Sequence, residues 1–169
     1  MSDARYDFRK TACLLVSISV LICGCGIYSF SGSNVPGHIK NVAVPLFEDK
    51  TAEFGIDRQM TDALIDAITQ DNTLKISGVQ NADAVLKGEI LRVEDRAGQY
   101  DNAEKASDFR ITLTIKMTFE DTKKRKILWE ETWSQWGSYD NTGLSREDGI
   151  KQAVDKLSRD ILNKTVSGW

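Results

Sequence analysis

Cysteine and histidine are scarce, and each scarcity excludes something. The 169-residue chain holds three cysteines, Cys13, Cys23 and Cys25, all within its first 25 positions. Its body can therefore form neither a disulfide framework nor a cysteine-bound zinc site, and must hold by packing alone. His38 is the one histidine. An imidazole with no partner placed beside it carries no acid–base couple, and it reads as a spectator in a connecting segment. Gly-rich phosphate loops and metal-ligand clusters are missing. Glu48/Asp49, Asp62/Asp66 and Glu130/Glu131 are carboxylate pairs, but each reads more simply as a solvated loop, helix face or strand edge. No catalytic residue, metal or cofactor is assigned, and the chain reads as a non-enzyme. An excess of positive charge is lacking too. Twenty-two Lys and Arg stand against 25 Asp and Glu, net −3, which argues against general nucleic-acid binding.

What is there begins with a leader. Arg5, Arg9 and Lys10 form a positive region, diluted by Asp3 and Asp7. The apolar run 11–22 follows, long enough for a signal peptide and short of the ~20 residues that span a bilayer. It ends in Ile22-Cys23-Gly24-Cys25, an aliphatic residue, two small residues and a cysteine, the pattern of a lipobox. Small residues admit the backbone to a peptidase, and the thiol can be alkylated by diacylglycerol. Residues 1–24 are thus expected to be a signal peptide and Cys25 the lipidated start of the mature chain. Cys25 fits better than Cys23, because Ile22 is a poor small residue before a scissile bond. Cleavage would leave 22 − 3 = 19 basic and 25 − 2 = 23 acidic side chains. Several acyl chains, palmitate among them, would anchor the protein stably, each buried CH₂ adding about 0.8 kcal/mol. Gly26, where inner-membrane lipoproteins carry Asp, favours the outer membrane by analogy.

Residues 25–38 are rich in Gly and Ser and read as a tether, with Tyr28 and Phe30 able to dock. Residues 39–169 read as one domain. Strands are expected at 39–47, where Pro45 marks an edge or an end, at 73–77, 83–95, 109–120 and 127–136. Helices are expected at about 55–70 and 145–164. The first has Ile56, Met60, Leu64 and Ile68 on one face; the second has Ile150, Val154, Leu157 and Ile161, with Ser145 as cap and Asp148 beside the dipole. The clearest signal is 109–120. Phe109, Ile111, Leu113, Ile115, Met117 and Phe119 alternate with polar residues, which makes one dry and one wet face. The expected fold class is α+β: one mostly antiparallel sheet of four to five strands with two helices packed on one face. The polar segment 96–107 is long for a strand connection, so it is either disordered or functional.

Two features could bind a ligand. The turn Lys123-Lys124-Arg125-Lys126 is either a solvated hairpin or an anion site, since clustered Lys and Arg meet phosphate well. Trp129 and Trp133 share a strand face and read as core, whereas Trp136 lies off that face. An exposed Trp136 or Trp169 would suit a partner or a lipid interface.

Several stretches together resemble one family. They are Cys25-Gly26 followed by Tyr28-Ser29-Phe30; the run from His38-Ile39-Lys40-Asn41 through Val42-Ala43-Val44-Pro45-Leu46-Phe47 to Glu48-Asp49-Lys50-Thr51; Ala82-Asp83-Ala84-Val85-Leu86-Lys87-Gly88-Glu89-Ile90; and Ile127-Leu128-Trp129-Glu130-Glu131. Their order and spacing resemble the LptE family of lipopolysaccharide-assembly lipoproteins, with Ile27 as an insertion in the tether. The resemblance implies an outer-membrane lipoprotein on the periplasmic side. It would plug the β-barrel LptD, help it assemble, and serve insertion of lipopolysaccharide into the outer leaflet. It implies partners in LptD, lipopolysaccharide and, through Cys25, the outer membrane. No binding residue carries over by motif. Lys123, Lys124, Arg125 and Lys126 are proposed to meet lipid A on charge alone. The stretch 42–51 also resembles activators of peptidoglycan synthases and subunits of CsgG-type secretion channels.

Overall fold

The alternation at 109–120 resolves into the central long strand of a mixed sheet. The computed structural model describes residues 35–97, 108–140 and 143–167. The expected signal peptide, Cys25, the tether through Asn34, residues 98–107 of the polar loop and Trp169 lie outside the described residues. In chain order the elements are β1 (Asn41–Ala43), β2 (Glu48–Asp49), α1 (Ile56–Asp71), β3 (Lys75–Ile76), a 3-10 turn (Val79–Asn81), β4 (Ala84–Ala97), β5 (Asp108–Asp121), β6 (Lys126–Asp140) and α2 (Arg146–Ser167). The sheet order is β3-β1-β4-β5-β6, with β2 also against β4.

The α+β class is as expected, but the sheet is six-stranded and only its long strands are antiparallel. β1 pairs parallel with both β3 and β4, and β2 runs parallel to β4. The cause is the connection: α1 carries the chain back, so the strand after it runs the same way as the one before. Of the expected strand 39–47 only Asn41–Ala43 is strand, and β2 forms just past its expected end. Pro45 has no N–H to give a ladder and stands in the gap.

The dry face of β5 is buried as its alternation demands. Ile111, Leu113, Ile115, Met117 and Phe119 are at most 2% exposed. Leu86 and Ile90 of β4 stand opposite Phe119 and Ile115 on the same face. Ile56, Met60, Leu64 and Ile68 of α1, and Val154, Leu157 and Ile161 of α2, complete this core. Burying one such side chain contributes about 1.5–3 kcal/mol. α1 starts after Gly55 and stops at Asn72, both left-handed, where the Asn72 N–H donates to the Ile68 carbonyl at 3.1 Å. α2 opens with a reciprocal cap. The Asp148 N–H donates to Ser145 Oγ at 3.2 Å, and the Ser145 N–H donates to Asp148 Oδ2 at 2.9 Å.

Two close approaches lock these layers. A Cβ on Gly88 would stand 2.2 Å from the Phe47 ring, and one on Gly137 only 1.9 Å from the Gly149 carbonyl oxygen. The first turn of α2 thus lies directly on β6. Further along, α2 also covers the outer edge of that strand. Gln152 exchanges hydrogen bonds with the N–H and carbonyl of Ser138 at 3.3 and 3.2 Å, and Lys156 Nζ donates to the Trp136 carbonyl at 2.8 Å.

The wet face of the sheet stays polar. Thr114 faces Ser134 at 2.9 Å, and Thr118 and Lys116 both reach Glu130, at 3.0 and 3.1 Å. Trp136 is half-exposed here, with the Arg110 guanidinium 3.9 Å and the Lys156 ammonium 4.2 Å from its ring centre. Trp129 is buried and Trp133 packs against the core.

Candidate functional site

The basic turn sits at one end of the long strands, joining β5 to β6 where Asp121 pairs with Lys126. Two aspartates form its floor. Asp121 is fully buried. Its Oδ1 accepts the backbone N–H of Lys123 at 3.0 Å and of Lys124 at 2.9 Å, which shapes the turn. Its Oδ2 lies 2.6 Å from His38 Nε2. Asp83, the residue before β4, is also buried. Its Oδ2 accepts the N–H groups of Lys40 and Asn41 at 2.9 Å each. Its Oδ1 pairs with Lys123 Nζ at 2.6 Å. Thr122 Oγ1 ties the turn to the carbonyls of Ala82 and Asp83 at 2.7 and 2.8 Å.

These contacts explain the electrostatics. The Lys123 ammonium, then the Lys40 and Asn41 N–H groups, hold the Asp83 carboxyl far below the usual carboxylate range. Burial pushes Asp121 upward, but the Lys124 N–H, His38 and the Lys123 N–H outweigh it, so Asp121 is held low as well. The floor is thus two carboxylates kept charged by the turn above them.

The four cations expected to act together are split by this geometry. Lys123 is committed to Asp83. Lys124, Arg125 and Lys126 are exposed, and no ion pair among the described residues engages them. Arg125 adopts φ 51°, the left-handed region that suits glycine. A bulge at Leu128, where the register shifts, follows the turn. Lys40, on the segment entering β1, is exposed and shares the Asp83 floor with Lys123. The site that emerges is an open, cationic ridge on a rigid base, suited to an anion's surface rather than to enclosing a small molecule.

His38 is not a spectator. It fastens the root of the N-terminal segment to the turn's own carboxylate. Lone-histidine reasoning missed this because its partner lies 83 residues away. Asp83 likewise carries no sequence signal, since Lys40, Asn41 and Lys123 lie 40 or more residues from it. Of the carboxylate pairs, Glu130 is held low by Lys116 and Thr118, Glu131 pairs with Lys164 at 2.7 Å, and Asp62 and Asp66 are exposed on α1. Among the described residues no group of three His, Cys, Asp or Glu is placed to hold a metal. Nor is any described helix long and apolar enough to cross a membrane.

The comparisons with known proteins agree with this picture of the fold. The LptE family model, described as lipopolysaccharide-assembly, matches residues 39–165. A hypothetical protein from Chlamydia trachomatis is similar at a TM-score of 0.56 and 12% identity, covering 74% of this chain and 94% of that one. A minor lipoprotein from Acinetobacter baumannii is similar at 0.50 and 20% identity, covering 77% and 92%. The PelC dodecamer from Paraburkholderia phytofirmans is similar at 0.51 and 15% identity, covering 74% and 90%. At such identities the likeness is one of fold. No curated protein matches the sequence.

Proposed function

Because the chain belongs to the LptE family, whose members assemble lipopolysaccharide and catalyse no reaction, we propose that it is an outer-membrane lipoprotein serving an LptD-type barrel. In this reading residues 1–24 are removed as a signal peptide. Cys25 carries the acyl chains, and the domain from residue 39 plugs the barrel and helps it assemble, so that lipopolysaccharide reaches the outer leaflet. The observation that carries the reading is the one-sidedness of the fold. Both helices bury the dry face and leave a long polar face of Thr112, Thr114, Lys116, Thr132 and Ser134. A barrel lumen is polar, and a largely polar wall can fill it while desolvating little apolar surface beyond Trp136. The anchor would raise the domain's local concentration beside the barrel.

The ridge Lys124, Arg125 and Lys126, with Lys123 as its root, is the surface we assign to the phosphates of lipid A. Three exposed cations on a hydrogen-bonded turn offer donors without first paying to order it. Replacing Lys124, Arg125 and Lys126 together by Gln is expected to weaken binding to phosphorylated lipid A by about tenfold at low salt. The loss shrinks as salt rises, because exposed charges are screened. Unchanged affinity for vesicles carrying lipid A would remove the ridge from the reading.

The test of the whole is crosslinking in cells, followed by purification of the full lipoprotein from detergent-solubilised outer membranes. A large β-barrel recovered in equal amount supports the plug. A peptidoglycan synthase in its place overturns it in favour of an activator.

A further inference from the structure

Far from the basic ridge, the connection between β2 and α1 holds an apolar ring entirely in water. Phe54 is 102% exposed. Exposed side chains on loose loops are ordinary, but this loop is built. Asp49 Oδ1 accepts both the N–H and the hydroxyl of Thr51, at 2.7 and 2.8 Å. Thr51 Oγ1 in turn accepts the Glu53 N–H at 3.2 Å, and the Lys50 N–H donates to the Ile90 carbonyl of β4 at 3.0 Å. Both neighbours of Phe54 are also fixed. Glu53 receives Arg146 through two parallel bonds of 2.8 and 2.7 Å. Gly55 takes φ 77°, which only glycine adopts freely, and its carbonyl accepts the first helical N–H, from Gln59. Arg146 is itself gripped by Asp95, to which Tyr139 also donates at 2.9 Å.

Among the described residues nothing rewards this arrangement. An exposed phenyl ring gains no burial, and the loop that presents it is already ordered, so little entropy remains to be lost when a partner closes over it. Rigid aromatic anchors of this kind are what interface hot spots are made of. The surroundings specify the partner's chemistry. Glu48, Asp49, Glu53 and Asp57 stand on this short stretch against Lys50 and Arg58. Glu147 lines the same hollow as Phe54. Arg146 pairs with Glu53 and Asp95, and Lys50 with Glu48, which leaves Asp49, Asp57 and Glu147 against Arg58 around the ring. An anionic rim is repelled by anionic lipid head groups, so a membrane surface is the wrong occupant.

We infer that Phe54 is a protein-docking anchor. It inserts into an apolar pocket rimmed by Lys or Arg on a protein partner. The inference rests on the barrel reading for that partner's identity, but not for its chemistry.

The test uses the full lipoprotein in cells, with a photo-crosslinking residue at position 54 and, as control, at Asn163 on the exposed face of α2. The expected result is a protein adduct of defined mass from position 54 and not from 163. Phe54→Ala should weaken recovery of the same partner by about thirtyfold, the change corresponding to ~2 kcal/mol. The melting temperature should not move, because the ring packs on none of the described residues. Phe54→Leu should restore part of the binding. A barrel as the adduct supports both readings. A different protein, lost with Phe54→Ala, supports the anchor and overturns the barrel reading. A lipid adduct, an adduct within the chain, or partner binding undiminished in Phe54→Ala overturns the anchor and leaves the barrel reading standing.

Discussion

The two ends of the long sheet solve the same problem in opposite ways. Each collects chain segments from distant parts of the sequence with carboxylates. At the turn end, Asp83 and Asp121 gather the N-terminal root, β1 and the β5–β6 turn. At the loop end, Glu53 and Asp95 gather the β2–α1 loop, β6 and the start of α2 around Arg146. The turn end buries its carboxylates and displays cations. The loop end holds Arg146 inside the cluster and displays more acids than cations around a bare phenyl ring. With 14-residue strands between them, the two surfaces stand on the order of 45 Å apart. The sheet thus carries two chemically distinct ends, one cationic and one acidic.

That comparison is broken most severely at Gly137. A Cβ there would meet the Gly149 carbonyl and force α2 off β6. Gly137→Ala should cost about 3 kcal/mol, read as a lower denaturant midpoint with an unchanged slope. The loop end should loosen first, seen as faster amide exchange around Arg146 while the turn end stays protected.

Acid should break the other end. Asp83 and Asp121 are held below the ordinary carboxylate range in the folded chain. Their stabilisation is therefore complete above the unfolded value of ~3.9 and is lost as pH falls below it toward the lowered folded values. Unfolding measured at pH 7 and pH 3 should show the parent losing more stability than the pair Asp83→Asn and Asp121→Asn. Asp148 and Glu130 are also held low, so some slope persists. Equal losses in parent and variant would show that the floor is not what acid attacks.

The smallest expected effect sharpens the comparison. Arg125 strains the turn by about 1 kcal/mol in its left-handed conformation. Glycine would relieve that at the expense of a floppier unfolded chain. Arg125→Gly should raise stability by about 0.5 kcal/mol and still weaken binding to phosphorylated lipid A. If binding is undiminished, the strain has no functional counterpart.

Much of this was legible in the residues. Period-two alternation at 109–120 named every buried side chain of β5 from Ile111 to Phe119, because a pleated strand leaves no other choice. Both helices fell within a few residues of their expected bounds, since Gly55, Asn72 and the Ser145–Asp148 pair mark their ends chemically. The parallel pairing was not legible, although strands were expected where β1 and β3 lie. β1, β2 and β3 are two or three residues long, too short for any period to register. Their pairing is set by where α1 returns the chain. The site was half legible for a related reason. Four consecutive cations are visible to the eye, but the carboxylates beneath them are single residues 38 positions apart that only the fold unites. Phe54 was likewise invisible: a lone aromatic in a loop has no pattern, and its exposure is a property of the folded chain.

The cover that α2 lays along β6 has a consequence for how the chain is made. Gln152 and Lys156 close the strand's edge at Ser138 and Trp136, yet they follow β6 in sequence and emerge later from synthesis or export. Until they arrive, a 15-residue strand offers its whole outer ladder to any other extended chain, the hazard that open edges bring. Whatever holds the nascent polypeptide apart from its neighbours must do so until residue 156 is through, and a chain interrupted before that point would be the form most prone to clump.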